Sequence, residues 1–312
     1  LAEWLYEAGI GEARAALVED GCIIKARIEL EDSGPQPGAV IPARLLDKAQ
    51  RIVVLEGGGE AILQAVPPGL TQGGALTVEI IRAAIPEAGR AKRPFAIATD
   101  AEPRPAPDLL SRLSAGTIPV RQLRPHEPDA LEESGWSEVL EEARTGEIAF
   151  PGGALRMSPT PAMTLFDVDG SGALEALAVA AATAIAAAIV RHDIGGSIGI
   201  DFPTLAGKAA RQAVAEAIDA ALPQPFERTT LNGFGFLQII RRRARASLPE
   251  LLRADPSAAD TRALLRSIER TPPSGPSRHT VSAAVGAALD RHPGWTAELA
   301  RRTGATHIFE TR

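Results

Sequence analysis

One cysteine, Cys22, stands in 312 residues. That excludes an internal disulfide and any cysteine-based zinc site. Its setting, Gly-Cys-Ile-Ile, predicts a buried strand residue. Aromatics make up only 4% of the chain, and none occurs between Tyr6 and Phe95. The core must therefore be built from Ala, Leu, Ile and Val, within a hydrophobic fraction of 45%. The uninterrupted apolar part of the Ala-rich run, residues 176–190, is closed by Glu175 and Arg191. It is too short to span a bilayer, and a buried core helix is expected there. Glu3, Glu7, Glu12 and Glu19 break any apolar signal region. A cytoplasmic protein with no membrane partner is expected.

What is present begins with charge. The net charge is −6, unevenly placed. From Pro203 onward there are 16 Lys+Arg against 10 Asp+Glu, and the first 202 residues hold 17 against 29. A cationic last third on an acidic chain hints at a polyanionic partner.

The stretch 164–203 organises the chain. Met-Thr-Leu-Phe leads into Asp167, and Ser-Ile-Gly-Ile leads into Asp201. Each apolar run predicts a buried strand, and the Ala-rich segment 172–192 predicts a helix between them. Strand, helix and strand make a βαβ unit with parallel strands. The C-terminal ends of such strands lie at one sheet edge, where sites of open α/β sheets gather. Two carboxylates 34 positions apart can converge there. Convergent carboxylates repel unless a cation or a proton sits between them, and an oxygen-only site suits Mg²⁺. The other reading is that each acid caps a turn at its strand end.

Elsewhere, Glu19-Asp20-Gly21 between two apolar runs predicts a hairpin. Short apolar runs over 39–97, punctuated by Gly57-Gly58-Gly59 and Pro67-Pro68-Gly69, predict a small barrel. Helices are expected near 108–113, 136–144, 204–221 and 261–270, and strands over 117–124, 147–155, 160–166 and 197–202. Strand-like runs flank Asn232-Gly233. Pro-rich linkers are expected over 99–107 and 272–276, with a Pro/Ser linker before residue 261.

Several motifs lead nowhere. Asp-Val-Asp-Gly-Ser-Gly at 167–172 imitates a calcium loop, but its twelfth position, Ala178, has no carboxylate. Gly195-Gly196 lacks the partners of a phosphate-binding loop and reads as a tight turn. His126, His192, His279, His292 and His307 show no metal spacing and read as surface or structural. Phe234 and Phe236, at alternate positions, read as core. The run Arg241, Arg242, Arg243, Arg245 is either a solvated face or a phosphate contact.

Phe166-Asp167-Val-Asp169-Gly, Asp193-Ile-Gly-Gly-Ser-Ile-Gly-Ile-Asp201-Phe and Gly233-Phe-Gly-Phe-Leu-Gln-Ile-Ile-Arg241-Arg-Arg243 together resemble the motifs of the RNase E/G family of bacterial endoribonucleases. The resemblance covers 145–250 well and extends faintly to both ends. It implies an α/β protein: a DNase I-like catalytic subdomain at 145–250, a reduced RNase H-like subdomain at 1–35 and 98–144, a shortened OB-type barrel at 36–97 and a small C-terminal α/β domain at 251–312. It implies Asp167 and Asp201 as the Mg²⁺ ligands, with Mn²⁺ also admissible, and Arg241 and Arg243 as the motif arginines.

The departures from the family pattern carry expectations too. Asp169 stands where the family usually has Asn, and as a third catalytic acid it would hydrogen-bond the activated water or ligate the metal. Gln238 stands where the family has Glu. The Cys-Pro-x-Cys zinc link is absent, so any homodimer would lack it. Fewer than 60 residues separate Phe95 from the catalytic segment, too few for the family's 5′-sensor. Without aromatics the barrel would grip RNA weakly, since stacking contributes about 1–3 kcal/mol per base. Lys92 and Arg93 remain as its phosphate contacts. The expected function is Mg²⁺-dependent cleavage of single-stranded RNA. The rivals are a catalytically weak RNA-binding or assembly protein and a phosphoesterase for small substrates.

Overall fold

The computed structural model describes residues 1–87, 91–271 and 274–312. The linker expected at 272–276 lies partly outside them. In chain order the elements begin β1 (Glu3–Ala8), β2 (Glu12–Glu19), β3 (Cys22–Leu30), β4 (Val40–Asp47), β5 (Ile52–Leu55), β6 (Glu60–Leu63), β7 (Ala75–Arg82) and β8 (Phe95–Ala98). Next come α1 (Leu109–Ser114), β9 (Val120–Gln122), α2 (Ala130–Glu133), α3 (Trp136–Thr145), β10 (Glu147–Phe150), β11 (Gly153–Pro159) and β12 (Thr164–Gly170). Then follow α4 (Leu174–Arg191), β13 (Gly196–Asp201), α5 (Lys208–Ala221), β14 (Phe226–Arg228) and β15 (Phe236–Arg241). The chain ends with α6 (Leu248–Ala254), α7 (Pro256–Arg270), β16 (Ser277–Val281), α8 (Ala283–Arg291), α9 (Pro293–Thr303) and β17 (His307–Thr311). The architecture is mixed α/β with several sheets and a closed five-stranded barrel.

The chain divides into two compact units. The first comprises Leu1–Asp32, Leu109–Trp136 and Leu252–Arg312. Its sheet has the order β3-β2-β1-β9. The β2–β3 turn places Asp20 and Gly21 at φ of 50° and 77°, as a two-residue primed turn demands. Cys22 is exposed at the start of β3, not buried as expected: the turn puts it outside the part of the strand that packs. Helix α7 begins five residues before the expected 261. The Asp255 carboxylate accepts from the Ala258 amide at 2.9 Å and Pro256 opens the first turn. A proline there starts a helix rather than marking a linker.

The second unit comprises Ser33–Asp108 and Ser137–Leu251. It holds the barrel, closed in the order β4-β5-β6-β8-β7 around Leu45, Val53, Leu63, Val78 and Ile80. It also holds a six-stranded sheet of order β10-β11-β12-β13-β15-β14. Strands β12 and β13 are parallel and joined by α4; the other pairings are antiparallel. The strand expected over 147–155 is instead two strands, because Pro151-Gly152 makes a turn with Gly152 at φ 95°. Helix α5 starts four residues late, with Gly207 at φ 87° before its first turn. Helix α4 is long and apolar enough to cross a bilayer. Here its Leu177, Ala181, Ile185 and Ile189 lie in the core that also takes Phe166, Ile198, Ile200, Leu237 and Ile239 from the sheet and Val214 and Ile218 from α5. One sheet face is thus covered by helices and the strands alternate: buried residues inward, the intervening ones outward.

Candidate active site

That alternation carries Asp167 to the uncovered face. In β12, Thr164, Phe166 and Val168 are buried while Leu165, Asp167 and Asp169 are exposed. In β13, Ile198 and Ile200 are buried and Asp201 ends the strand exposed. The parallel register pairs Asp167 with Asp201, so both side chains leave the same face from strands about 4.8 Å apart. Asp169 lies on that face two residues further along β12, roughly 7 Å beyond. Among the described residues, none of the three carboxylates has a hydrogen-bond or ion-pair partner.

The strand end is held by a second motif. The Asn232 carboxamide oxygen accepts from the amides of Phe234 and Phe236 at 2.9 and 3.0 Å. The Phe202 amide donates to the Gly235 carbonyl at 2.9 Å. Gly235 sits at φ 95°, where a Cβ would lie 2.2 Å from the Phe202 carbonyl oxygen. Glycine is required for that loop to close on the backbone just past Asp201. Phe234 is 87% exposed and Phe236 is half-buried, opposite Asp201, so neither is the core residue expected. Phe236, Leu165 and Met163 close over Gly199, whose Cβ would come within 3.0 Å of each. They form an apolar shoulder beside the carboxylates.

The basic residues lie elsewhere. Arg241 pairs with Gly196, five positions before Asp201, about 16 Å away along the strand. Strand alternation puts it on the covered face, where it donates to the Ile194 carbonyl at 3.3 Å. Burial lowers its pKa, with Asp193 opposing the shift. Arg243 pairs with the Glu250 carboxylate, which also accepts from the Ser247 amide and hydroxyl at 2.8 Å. Gly195 lets this segment pass: a Cβ there would lie 2.8 Å from the Arg242 carbonyl oxygen. Lys92 pairs with Glu87 at 2.5 Å and the Pro161 carbonyl at 2.7 Å, and Arg93 with Glu60 at 2.6 Å. The structure brings the three aspartates together and does not bring these four cations to them.

One neighbour escaped the sequence reading. Arg156 of β11 is the register partner of Asp167 and Glu147 of β10 the partner of Arg156. One row across the open face thus runs Glu147, Arg156, Asp167, Asp201, Phe236. The turn at Pro151-Gly152 was the signal that could have found it. Two of the histidines read as surface or structural also meet, in the first unit. His279 Nε2 lies 3.1 Å from His307 Nδ1, with the Ser277 hydroxyl 2.8 and 3.0 Å from them. Thr303 donates to the Leu299 carbonyl and so accepts from His307 Nε2 at 2.7 Å.

The donor set fits a hard cation. Mg²⁺ takes one or two protein carboxylates and completes its octahedron with water and phosphate oxygens. Asp167 and Asp201 supply two such carboxylates on an exposed surface. Among the described residues no group of three His, Cys, Asp or Glu could hold a metal, so any cation here keeps most of its sites for water and substrate. No curated protein matches the chain. Residues 104–244, which include every row residue and both motif arginines but not Lys92 or Arg93, match the Ribonuclease E/G family. The chain therefore carries a Ribonuclease E/G family domain over residues 104–244.

Proposed function

We propose that this protein is a Mg²⁺-dependent endoribonuclease acting on single-stranded RNA in processing or decay. The observation that carries the reading is the register pairing of Asp167 and Asp201: two exposed carboxylates, unpartnered among the described residues, on adjacent parallel strands, within a domain whose family typically consists of endoribonucleases. On this reading 145–250 is the DNase I-like catalytic subdomain, 36–97 the OB-type barrel, 1–35 with 98–144 the reduced RNase H-like subdomain, and 251–312 the C-terminal domain.

Mg²⁺ held between the two aspartates would supply Lewis-acid polarisation of a phosphoryl oxygen and a bound water of lowered pKa. The chain's residues do the rest. Asp167 and Asp201 fix where the cation and the scissile phosphate meet. Asp169 accepts a hydrogen bond from water at the rim. Met163, Leu165 and Phe236 exclude water along one side. Arg241 and Arg243, turned inward, shape the β13–β15 end of the sheet, and Arg242, exposed between them, is the member of that run able to meet a distant backbone phosphate.

The test is cleavage of a 5′-phosphorylated and a 5′-hydroxyl single-stranded RNA, with Mg²⁺ and with chelator, by the wild-type chain, Asp167→Asn and Asp201→Asn. Mg²⁺-dependent cleavage lost by more than about 100-fold in both variants is expected. RNA bound yet left intact by the wild type in Mg²⁺ would overturn the reading in favour of a binding or assembly protein. Cleavage of a dinucleotide but not of longer RNA would favour the phosphoesterase.

A further inference from the structure

We infer that Arg156 and the carboxylate pair form a built phosphate subsite, with Arg156 holding a backbone phosphate of the RNA one strand away from the scissile position and Glu147 acting as its release partner. This rests on the nuclease reading of Asp167 and Asp201. Arg156 stands directly across from Asp167 in the antiparallel register, so its side chain leaves the sheet on the aspartate face. The strand spacing puts its Cα about 7 Å from the midpoint between Asp167 and Asp201, within reach of an extended arginine side chain.

Charge gives the second step. A polyanion approaching two aspartates meets repulsion, which a bound dication offsets only at its own position. A guanidinium beside them supplies positive charge for the next phosphate along and matches its oxygens bidentately. Among the sequence-predicted cations, Arg241, Arg243, Lys92 and Arg93 are engaged with carbonyls or carboxylates inside the unit. Arg156 is different. Its side chain is 64% exposed, and its partner Glu147, at 3.3 Å, is equally open to solvent. An ion pair so exposed contributes about 0–1 kcal/mol, so a phosphate with two oxygens to offer can displace it.

Glu147 makes the idea testable in both directions. Removing the arginine should weaken RNA engagement; removing its competitor should strengthen it. With the full chain, steady-state cleavage of a single-stranded RNA in Mg²⁺ would be followed across a salt series. For Arg156→Ala the expected result is a KM raised about fivefold to tenfold with kcat changed less than twofold. The log–log salt slope should fall by about 0.7, the single-strand value for one fewer phosphate neutralised. Arg156→Lys should recover part of the KM, and Glu147→Gln should lower KM below wild type. A structural role for the pair predicts the opposite for Glu147→Gln, no better than wild type, and leaves the salt slope unmoved in Arg156→Ala. Either result overturns the subsite while Asp167→Asn still reports on the nuclease. If the wild-type chain leaves RNA intact, the nuclease reading fails separately. The same slope measured by equilibrium binding in Mg²⁺ then decides Arg156 alone.

Discussion

A buried acidic cluster in the first unit and an exposed acidic pair in the second treat charge in opposite ways. In the first unit, Glu7, Glu12 and Asp129 meet Arg14, Arg262, Arg266 and Arg270. Glu7 accepts from Arg14 and Arg266 at 2.7 Å and from Arg270 at 2.9 Å. Glu12 accepts from Arg14 at 2.6 Å and Arg262 at 2.7 Å. Asp129 accepts from Arg266 at 2.6 Å and Arg270 at 2.8 Å. Glu7, Glu12, Arg14 and Arg262 are buried, and every one of these charges has a partner. In the second unit, Asp167 and Asp201 are exposed at matched register with none among the described residues. Unit charges at strand spacing repel by about 1–3 kcal/mol for effective dielectric constants of about 80 to 20. Charge that is matched and buried holds a fold together; like charge left facing itself at a sheet edge is kept for something that arrives later.

The sharpest way to break this comparison is Glu7→Ala. It leaves Arg14, Arg266 and Arg270 short of a buried acceptor, and breaking such a pair costs about 3–5 kcal/mol. Denaturant unfolding should register that loss. A change under about 1 kcal/mol would mean the network is not what holds the first unit. Asp167→Asn should do the reverse. Removing one of two repelling charges should leave the thermal midpoint unchanged or raised, while Mg²⁺-dependent cleavage falls more than about 100-fold. A destabilised Asp167→Asn would show that the pair is structural.

Acid separates the two units next. Burial alone would raise the Glu7 carboxyl, but the Arg266 hydrogen bond and the charges of Arg14, Arg266 and Arg270 hold it below its ordinary 4.5. Its contribution is complete above that value and is lost as pH falls through the lowered one. In the second unit His192 is fully buried. Burial lowers its pKa below 6.5, with Glu142 opposing. Its Nε2 faces the Glu142 carboxylate at 3.1 Å and so donates. Nδ1 has no partner among the described residues, so a second proton would be buried unpaired. The unfolded chain binds that proton near 6.5, so this contribution is complete above 6.5 and declines as pH falls below it. Hydrogen exchange, corrected for intrinsic rates, should therefore show α4 losing protection as pH falls below 6.5 while β1 and β2 hold until below 4.5. Simultaneous loss would contradict the separation.

What could be read from the chain followed the same division. The approach of Asp167 to Asp201 was legible because a βαβ unit has only one easy arrangement, and register then follows from burying Phe166, Ile198 and Ile200 on one face. The Asp20-Gly21 hairpin and the barrel were legible because turn residues have few alternatives. Arg156 was not, because a single missed turn at Pro151-Gly152 shifts every residue's face. The cationic last third misled for a different reason. Arg262, Arg266 and Arg270 point into acids near 7, 12 and 129, and Arg302 meets Glu269 and Glu298. Composition counts charges; only long-range packing decides which are already answered. Phe234 was misjudged because it lies in the turn before β15, and Phe236 because period-2 alternation does not say which face is covered.

The finest test of the comparison concerns Asp169. It shares the open face and, like the pair, has no partner among the described residues. Its register partner is Ala154 on β11, and β13 ends at Asp201, so no carboxylate stands across from it on the other side. Two residues of strand rise separate its Cα from that of Asp167 by roughly 7 Å, against about 4.8 Å across the paired strands that carry Asp167 and Asp201. Among the described residues no group of three acids could hold a metal, and on the proposed reading Asp169 holds a water at the rim while Asp167 and Asp201 share the ion. Asp169→Asn keeps a hydrogen-bond acceptor there and should slow cleavage only about threefold to tenfold, with the Mg²⁺ concentration for half-maximal rate shifted little. A loss as large as that of Asp167→Asn, or a large shift in Mg²⁺ requirement, would move Asp169 into the ligand set and make the site a triad instead of a pair.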